Sequence, residues 1–127
     1  MEAKELKIGN IVSTPNQPIF RIDLFDYVAK GIGKFGQISD PKLHPLTWYL
    51  QDLKPIEITK QWFYQLGFKS DNDESTILIK NGFDIIELND GSFELFNHDY
   101  PIKIKYVHQL QNLYYALLGE ELSLSGI

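Results

Sequence analysis

Ser75-Thr-Ile-Leu-Ile-Lys-Asn-Gly-Phe-Asp-Ile-Ile-Glu-Leu88 is the stretch from which the fold is read. Asn81-Gly82 at its centre is the strongest short-range hairpin signal, because a two-residue type I′ turn needs positive φ at both central positions. The flanking runs, Ser75–Lys80 and Phe83–Leu88, have strand composition. Pairing across the turn puts Ile77, Ile79, Ile86 and Leu88 on one face with Asp84. It puts Leu78, Phe83 and Ile85 on the other with Thr76, Lys80 and Glu87. The first of these faces is expected to meet the core. Asn89-Asp-Gly91 makes a second turn into Ser92–Asn97, where Phe93 and Leu95 alternate with polar neighbours, and Ile102-Lys-Ile-Lys105 offers a further short strand.

Helices flank this hairpin region. Upstream, Thr59 is a natural N-cap, with Ile58 and Phe63 spaced for a hydrophobic staple. Gly67 fits the left-handed position after a helix, with Phe68 able to fold back on Phe63, so a short helix is predicted over 60–66. Downstream, Val107, Leu110, Leu113, Tyr114, Leu117 and Leu118 recur at helical spacing until Gly119, which predicts a helix over 105–118 with these residues on the core side. The tail from Ser123 to Ile127 is expected to fray.

The first part of the chain reads as β. Ile11-Val12 and Ile19–Leu24 are short strand-like runs separated by the turn-rich Ser13–Pro18, and Leu46–Leu50 suits another short strand. Leu6-Lys-Ile-Gly-Asn-Ile-Val12 suits a strand entered through a glycine turn, an arrangement found in SH3-like barrels. Asp52-Leu-Lys-Pro55 is the one plausible internal boundary. The expected fold is therefore α+β: an N-terminal β-rich part of SH3-like character, a short helix, a three-stranded antiparallel meander, and a C-terminal helix packed on the sheet. Residues 1–127 are read as one domain, divisible into a β-rich part at 1–54 and a helix–meander–helix part at 55–127.

Composition narrows the function. The 127 residues include no cysteine, which excludes a disulfide scaffold, a thiolate zinc site and a cysteine nucleophile. The start, Met1–Lys7, mixes both signs of charge and does not read as a signal peptide, and no apolar run suits a membrane helix. A soluble, cytoplasmic protein is expected. The net charge of −5 is uneven: residues 1–54 hold seven basic and six acidic side chains, residues 55–127 five and eleven. The acidic second half makes duplex nucleic acid an unsuitable partner, because phosphate neutralisation by Lys and Arg dominates that affinity.

The candidate motifs for chemistry are weak. Gly31-Ile-Gly-Lys-Phe-Gly36 matches G-x-G-x-x-G but no helix follows to hold a pyrophosphate, so it reads as a flexible hairpin or loop. Asp71-Asn-Asp-Glu74 begins like a calcium loop, yet Thr76 and Gly82 stand where Gly and Glu are needed. His44, His98 and His108 lack metal-ligand spacing. No metal, no cofactor and no catalytic residue is expected.

The last helix carries the candidate site. His108, Gln111, Asn112 and Tyr115 form one stripe, and no charged residue lies between Tyr106 and Gly119. A helix face turned to water carries Lys and Glu, whereas a neutral, amide-rich and aromatic stripe faces another surface. That surface belongs to a partner, or else the helix is central and its amides are satisfied within the fold.

Ile104-Lys-Tyr-Val-His-Gln-Leu-Gln-Asn-Leu-Tyr-Tyr-Ala-Leu-Leu-Gly-Glu-Glu-Leu122, with Leu6–Asn10, Leu53-Lys-Pro-Ile56, Trp62 and Leu66-Gly-Phe68, resembles a family of short uncharacterised proteins from phages, prophages and mobile elements of gut bacteria. The resemblance implies origin, and a host cytoplasm as location; it carries no activity. The leading expectation is a non-enzymatic accessory protein that docks on a host or viral macromolecule or on itself. The alternative is a binder of single-stranded nucleic acid or nucleotides through the N-terminal β part, with Phe20, Phe35, Trp48 and Tyr49 stacking bases beside Lys30 and Lys34. The last-ranked reading is a small hydrolase with a carboxylate site.

Overall fold

The computed structural model describes residues 5–25, 28–34, 46–49, 52–70, 76–96 and 102–124, with 24–25, 28–34 and 46–49 described by their backbone. Among the described residues, two antiparallel sheets and two helices make an α+β fold. The first sheet joins β1 (Ile11–Val12), β2 (Ile19–Phe25), β3 (Val28–Lys34) and β4 (Leu46–Tyr49) in chain order. The second joins β5 (Lys69–Ser70), β6 (Ile77–Lys80), β7 (Phe83–Glu87), β8 (Phe93–Leu95) and β9 (Lys103–Ile104), also in chain order. α1 spans Lys60–Gln65 and α2 spans Val107–Leu118.

Local chemistry explains the short elements. The Thr59 hydroxyl accepts the Trp62 N–H at 3.4 Å and opens α1. Gly67, at φ +96°, closes it; the Phe68 N–H then reaches the Phe63 carbonyl at 2.9 Å, and the two rings meet edge to face at 5.3 Å. Asn81 and Gly82 take φ of +51° and +79°, the two positive values of a type I′ turn, and Ile77 pairs with Ile86 across it. At the next turn the Asp90 carboxylate accepts both the Ser92 N–H and the Ser92 hydroxyl, which holds its pKa below the usual carboxylate value.

The core face of this hairpin is the reverse of the expected one. Leu78, Phe83 and Ile85 are buried, while Ile79 is exposed and Ile77 and Ile86 are half-buried. Both faces are apolar enough to be covered, and α1 and α2 cover the face that holds the aromatic ring: Tyr114 of α2 packs on Phe83 at 5.2 Å. Lys80 lies on the core face at the sheet end, where its ammonium reaches over Gly67 and stays solvated.

Other expectations change or are refined. The sheet has five strands, because Lys69–Ser70 pairs with Leu78–Ile79 along its edge. Gly31 and Gly33 are strand residues of β3, paired with Ile22 and Phe20, so of the two readings of the glycine motif this part takes the hairpin; Gly36 lies outside the described residues. The start of the tail is held: Leu124, like Leu122 before it, is buried in the main core with Val107, Leu110 and Tyr114, while residues 125–127 lie outside the described residues. Leu117 and Leu118, expected in that core, are exposed; the buried face of α2 runs through Val107, Leu110, Gln111 and Tyr114 and stops there.

The segment after β4 ties the two sheets. Ser13 and Lys54 exchange backbone hydrogen bonds at 2.9 Å each. The Ile58 N–H reaches Lys105 O at 2.8 Å, and the Val107 N–H reaches Ile56 O at 2.9 Å, which sets the start of α2.

Candidate functional site

α2 lies with its apolar face on the second sheet and its amide-bearing face on the N-terminal segment. Gln111 is 0% exposed and uses its whole amide on backbone. Its Oε1 accepts the Ile11 N–H at 2.7 Å, and its Nε2 donates to Gly9 O and to Leu122 O, both at 2.9 Å. One side chain thus ties two chain segments, Gly9–Ile11 and the stretch at Leu122, to the helix. Asn112, half-buried, accepts from Asn10 Nδ2 at 2.7 Å and donates to Glu5 O at 3.2 Å. Asn10 in turn accepts the Lys7 N–H at 2.7 Å.

His108 is 5% exposed, and its Nδ1 is buried with no hydrogen-bond partner. Its ring stacks on Tyr106 with 5.9 Å between centroids and 14° between planes. The four residues of the stripe therefore part company. Gln111 and His108 face inward, Asn112 bridges to the N-terminal segment, and Tyr115 stands outside at 47% exposure. Lys7 lies 4.6 Å over the Tyr115 ring and pairs with Glu121.

A groove of about 720 Å³ opens beside His108 at the start of α2. Pro55, Ile102, Ile104 and Leu113 form its apolar walls, and Glu5 and Lys103 each bring one charge. Gln109 lines it as well, with its Oε1 taking the Lys105 and Tyr106 N–H groups at 3.0 and 3.2 Å, so the helix start is capped from within. Sequence spacing could not reveal this groove, because its residues come from the chain start, the inter-sheet segment, β9 and α2.

Burial holds the His108 imidazole below its usual pKa, chiefly by stripping water from the charged form, while the Glu5 carboxylate pulls the other way. The unfolded chain then takes up the proton at a higher pH than the folded one. The stability contributed by the neutral ring is complete above the ordinary imidazole value of about 6.5 and is lost as the pH falls below it toward the folded value. Thermal midpoints at about pH 7.5 and about pH 5 should therefore differ more for the wild type than for His108→Leu. Equal differences in the two proteins would show that the ring titrates alike folded and unfolded.

The other sequence candidates fare differently. Phe20 is 0% exposed and so offers no face to a base. Phe35, His44, His98, Gly36 and Asp71–Glu74 lie outside the described residues, and the side chains of Lys30, Lys34, Trp48 and Tyr49 are likewise not described. Among the described residues no group of three or more His, Asp or Glu is placed to hold a metal ion. No helix among them is long and apolar enough to cross a membrane.

No family model matches the chain, and comparisons with curated proteins and with solved structures find no match.

Proposed function

We propose that this is a non-enzymatic binding protein of phage or mobile-element origin that docks on a host or viral protein through the exposed end of α2. One observation carries the reading. Tyr115, Leu117 and Leu118 are 47%, 51% and 38% exposed on the last turns of α2, a helix that itself carries no charged side chain, with the Lys7–Glu121 pair at the edge over Tyr115. Aromatic and aliphatic residues gathered at one end of a helix are the composition of an interface centre. The chain-order antiparallel pairing of β1–β4 supports an SH3-like first part, and that of β5–β9 supports a meander as the frame behind the helix.

The competing readings have less support. Buried Phe20 removes one of the rings assigned to base stacking. His108 has no carboxylate or carbonyl on Nδ1 to orient it, which is the arrangement a general base needs.

Tyr115→Ala separates docking from structure. Loss of an aromatic anchor should weaken partner binding or self-association by about 2 kcal/mol or more, with a thermal midpoint close to wild type. Leu110, fully buried, is the control: Leu110→Ala should cost the fold about 2–5 kcal/mol. A Tyr115→Ala midpoint as low as that of Leu110→Ala would make Tyr115 a structural residue and end the docking reading.

A further inference from the structure

We infer that the groove at the start of α2 is a binding site for a small, uncharged, planar molecule that carries a hydrogen-bond acceptor, such as an aromatic amide. The inference does not rest on the docking surface, which lies at the opposite end of the same helix.

Size and lining set the ligand class. A groove of about 720 Å³ lies within the range of small-molecule sites, roughly 300–1,000 Å³. Its aliphatic walls, Pro55, Ile102, Ile104 and Leu113, favour an apolar body. Tyr106, half-buried and stacked on His108, brings an aromatic ring to the lining, against which a planar ring gains more than a branched chain does.

The polar groups set the hydrogen-bonding sense. His108 is a buried side chain with an unpartnered nitrogen, so its tautomer follows from cost. A buried N–H without an acceptor is more costly than a buried bare lone pair, so the neutral ring keeps Nδ1 unprotonated and carries its proton on Nε2. Nδ1 is buried, so Nε2 is the nitrogen available to serve the groove that His108 lines. Gln109 has its oxygen committed to the helix start, which leaves its amide nitrogen as a second donor. Asn112 is occupied at both ends by Asn10 and Glu5. Two donors face a ligand that must bring the acceptor.

Charge favours a neutral ligand. Glu5 and Lys103 bring opposite single charges to the groove, so it has no net sign to offset the desolvation of an ion against its apolar walls. Burial also keeps the imidazole uncharged, as its lowered pKa reflects.

Benzamide is the probe, titrated into the isotopically labelled full chain and followed by NMR. Saturable shifts of the His108, Gln109 and Leu113 resonances are expected, with a dissociation constant roughly in the millimolar range for so small a molecule. Benzoate, equal in shape and charged, should bind at least about tenfold more weakly. Leu113→Trp and, as an independent variant, Ile102→Trp fill the groove from two walls, and each should abolish the shifts while keeping a cooperative melt. Shifts that remain linear to about 20 mM, or that arise away from the groove, overturn the proposal. So does benzoate binding as tightly as benzamide, which would make the groove an anion site. Retained binding in a folded groove-filling variant overturns it as well. None of these results bears on Tyr115.

Discussion

Gln111→Leu will lower the unfolding free energy by about 3–5 kcal/mol, the largest loss expected from any single polar side chain among the described residues. The amide holds the Ile11 N–H and the Gly9 and Leu122 carbonyls from a fully buried position. Leucine fills similar space but leaves one buried donor and two carbonyls unpaired, and a stranded buried group costs about 1–3 kcal/mol. For a chain of this length that is a fall of roughly 10 °C or more in thermal midpoint. Gln111→Glu should be worse at neutral pH, because a buried carboxylate would face two carbonyl oxygens. It should recover in part on acidification, as protonation restores one donor. A Gln111→Leu protein within about 1 kcal/mol of wild type would mean that α2 and the two segments it holds stay together by packing alone.

Tyr114→Ala is expected to cost about 3–5 kcal/mol, and Tyr114→Phe about 1 kcal/mol. Tyr114 is fully buried, with Phe83 at 5.2 Å and Phe68 at 6.2 Å between ring centroids. Its hydroxyl accepts the Asn81 amide at 2.9 Å, which joins α2 to the hairpin turn. Alanine leaves a ring-sized cavity among aromatic side chains that have no slack to close it. Phenylalanine keeps the packing and loses one hydrogen bond, whose donor on exposed Asn81 returns to water. Equilibrium denaturation of the two variants checks the ordering. Equal losses would place the energy in the hydroxyl rather than in the ring.

The candidate site was partly readable as composition and not as geometry. The lack of charge from Tyr106 to Gly119 marked α2 as a helix with covered faces, and Gln111, His108 and Asn112 are inside or half inside. What covers them is the segment Glu5–Ile11, about a hundred residues away in sequence. An amide satisfied by a distant backbone looks, along the chain, the same as an amide awaiting a partner.

Determined by the sequence alone are the events that close within a few residues. The Asn81-Gly82 turn, the Thr59 cap, Gly67 after α1 and the span of α2 depend on which backbone angles a residue tolerates and which nearby N–H needs an acceptor. Tertiary structure decided the rest. Ile77, Ile79 and Ile86 compete with Leu78, Phe83 and Ile85 for the core, and period-2 patterning cannot choose between two apolar faces. The choice went to the face on which Phe63, Phe68, Phe93 and Tyr114 could close a single aromatic core. It left Ile79 outside, docked Leu122 and Leu124, and spent Gln111 as an internal tie. Burial is a property of the assembled surface, so it is settled only when helices, sheet and N-terminal segment meet.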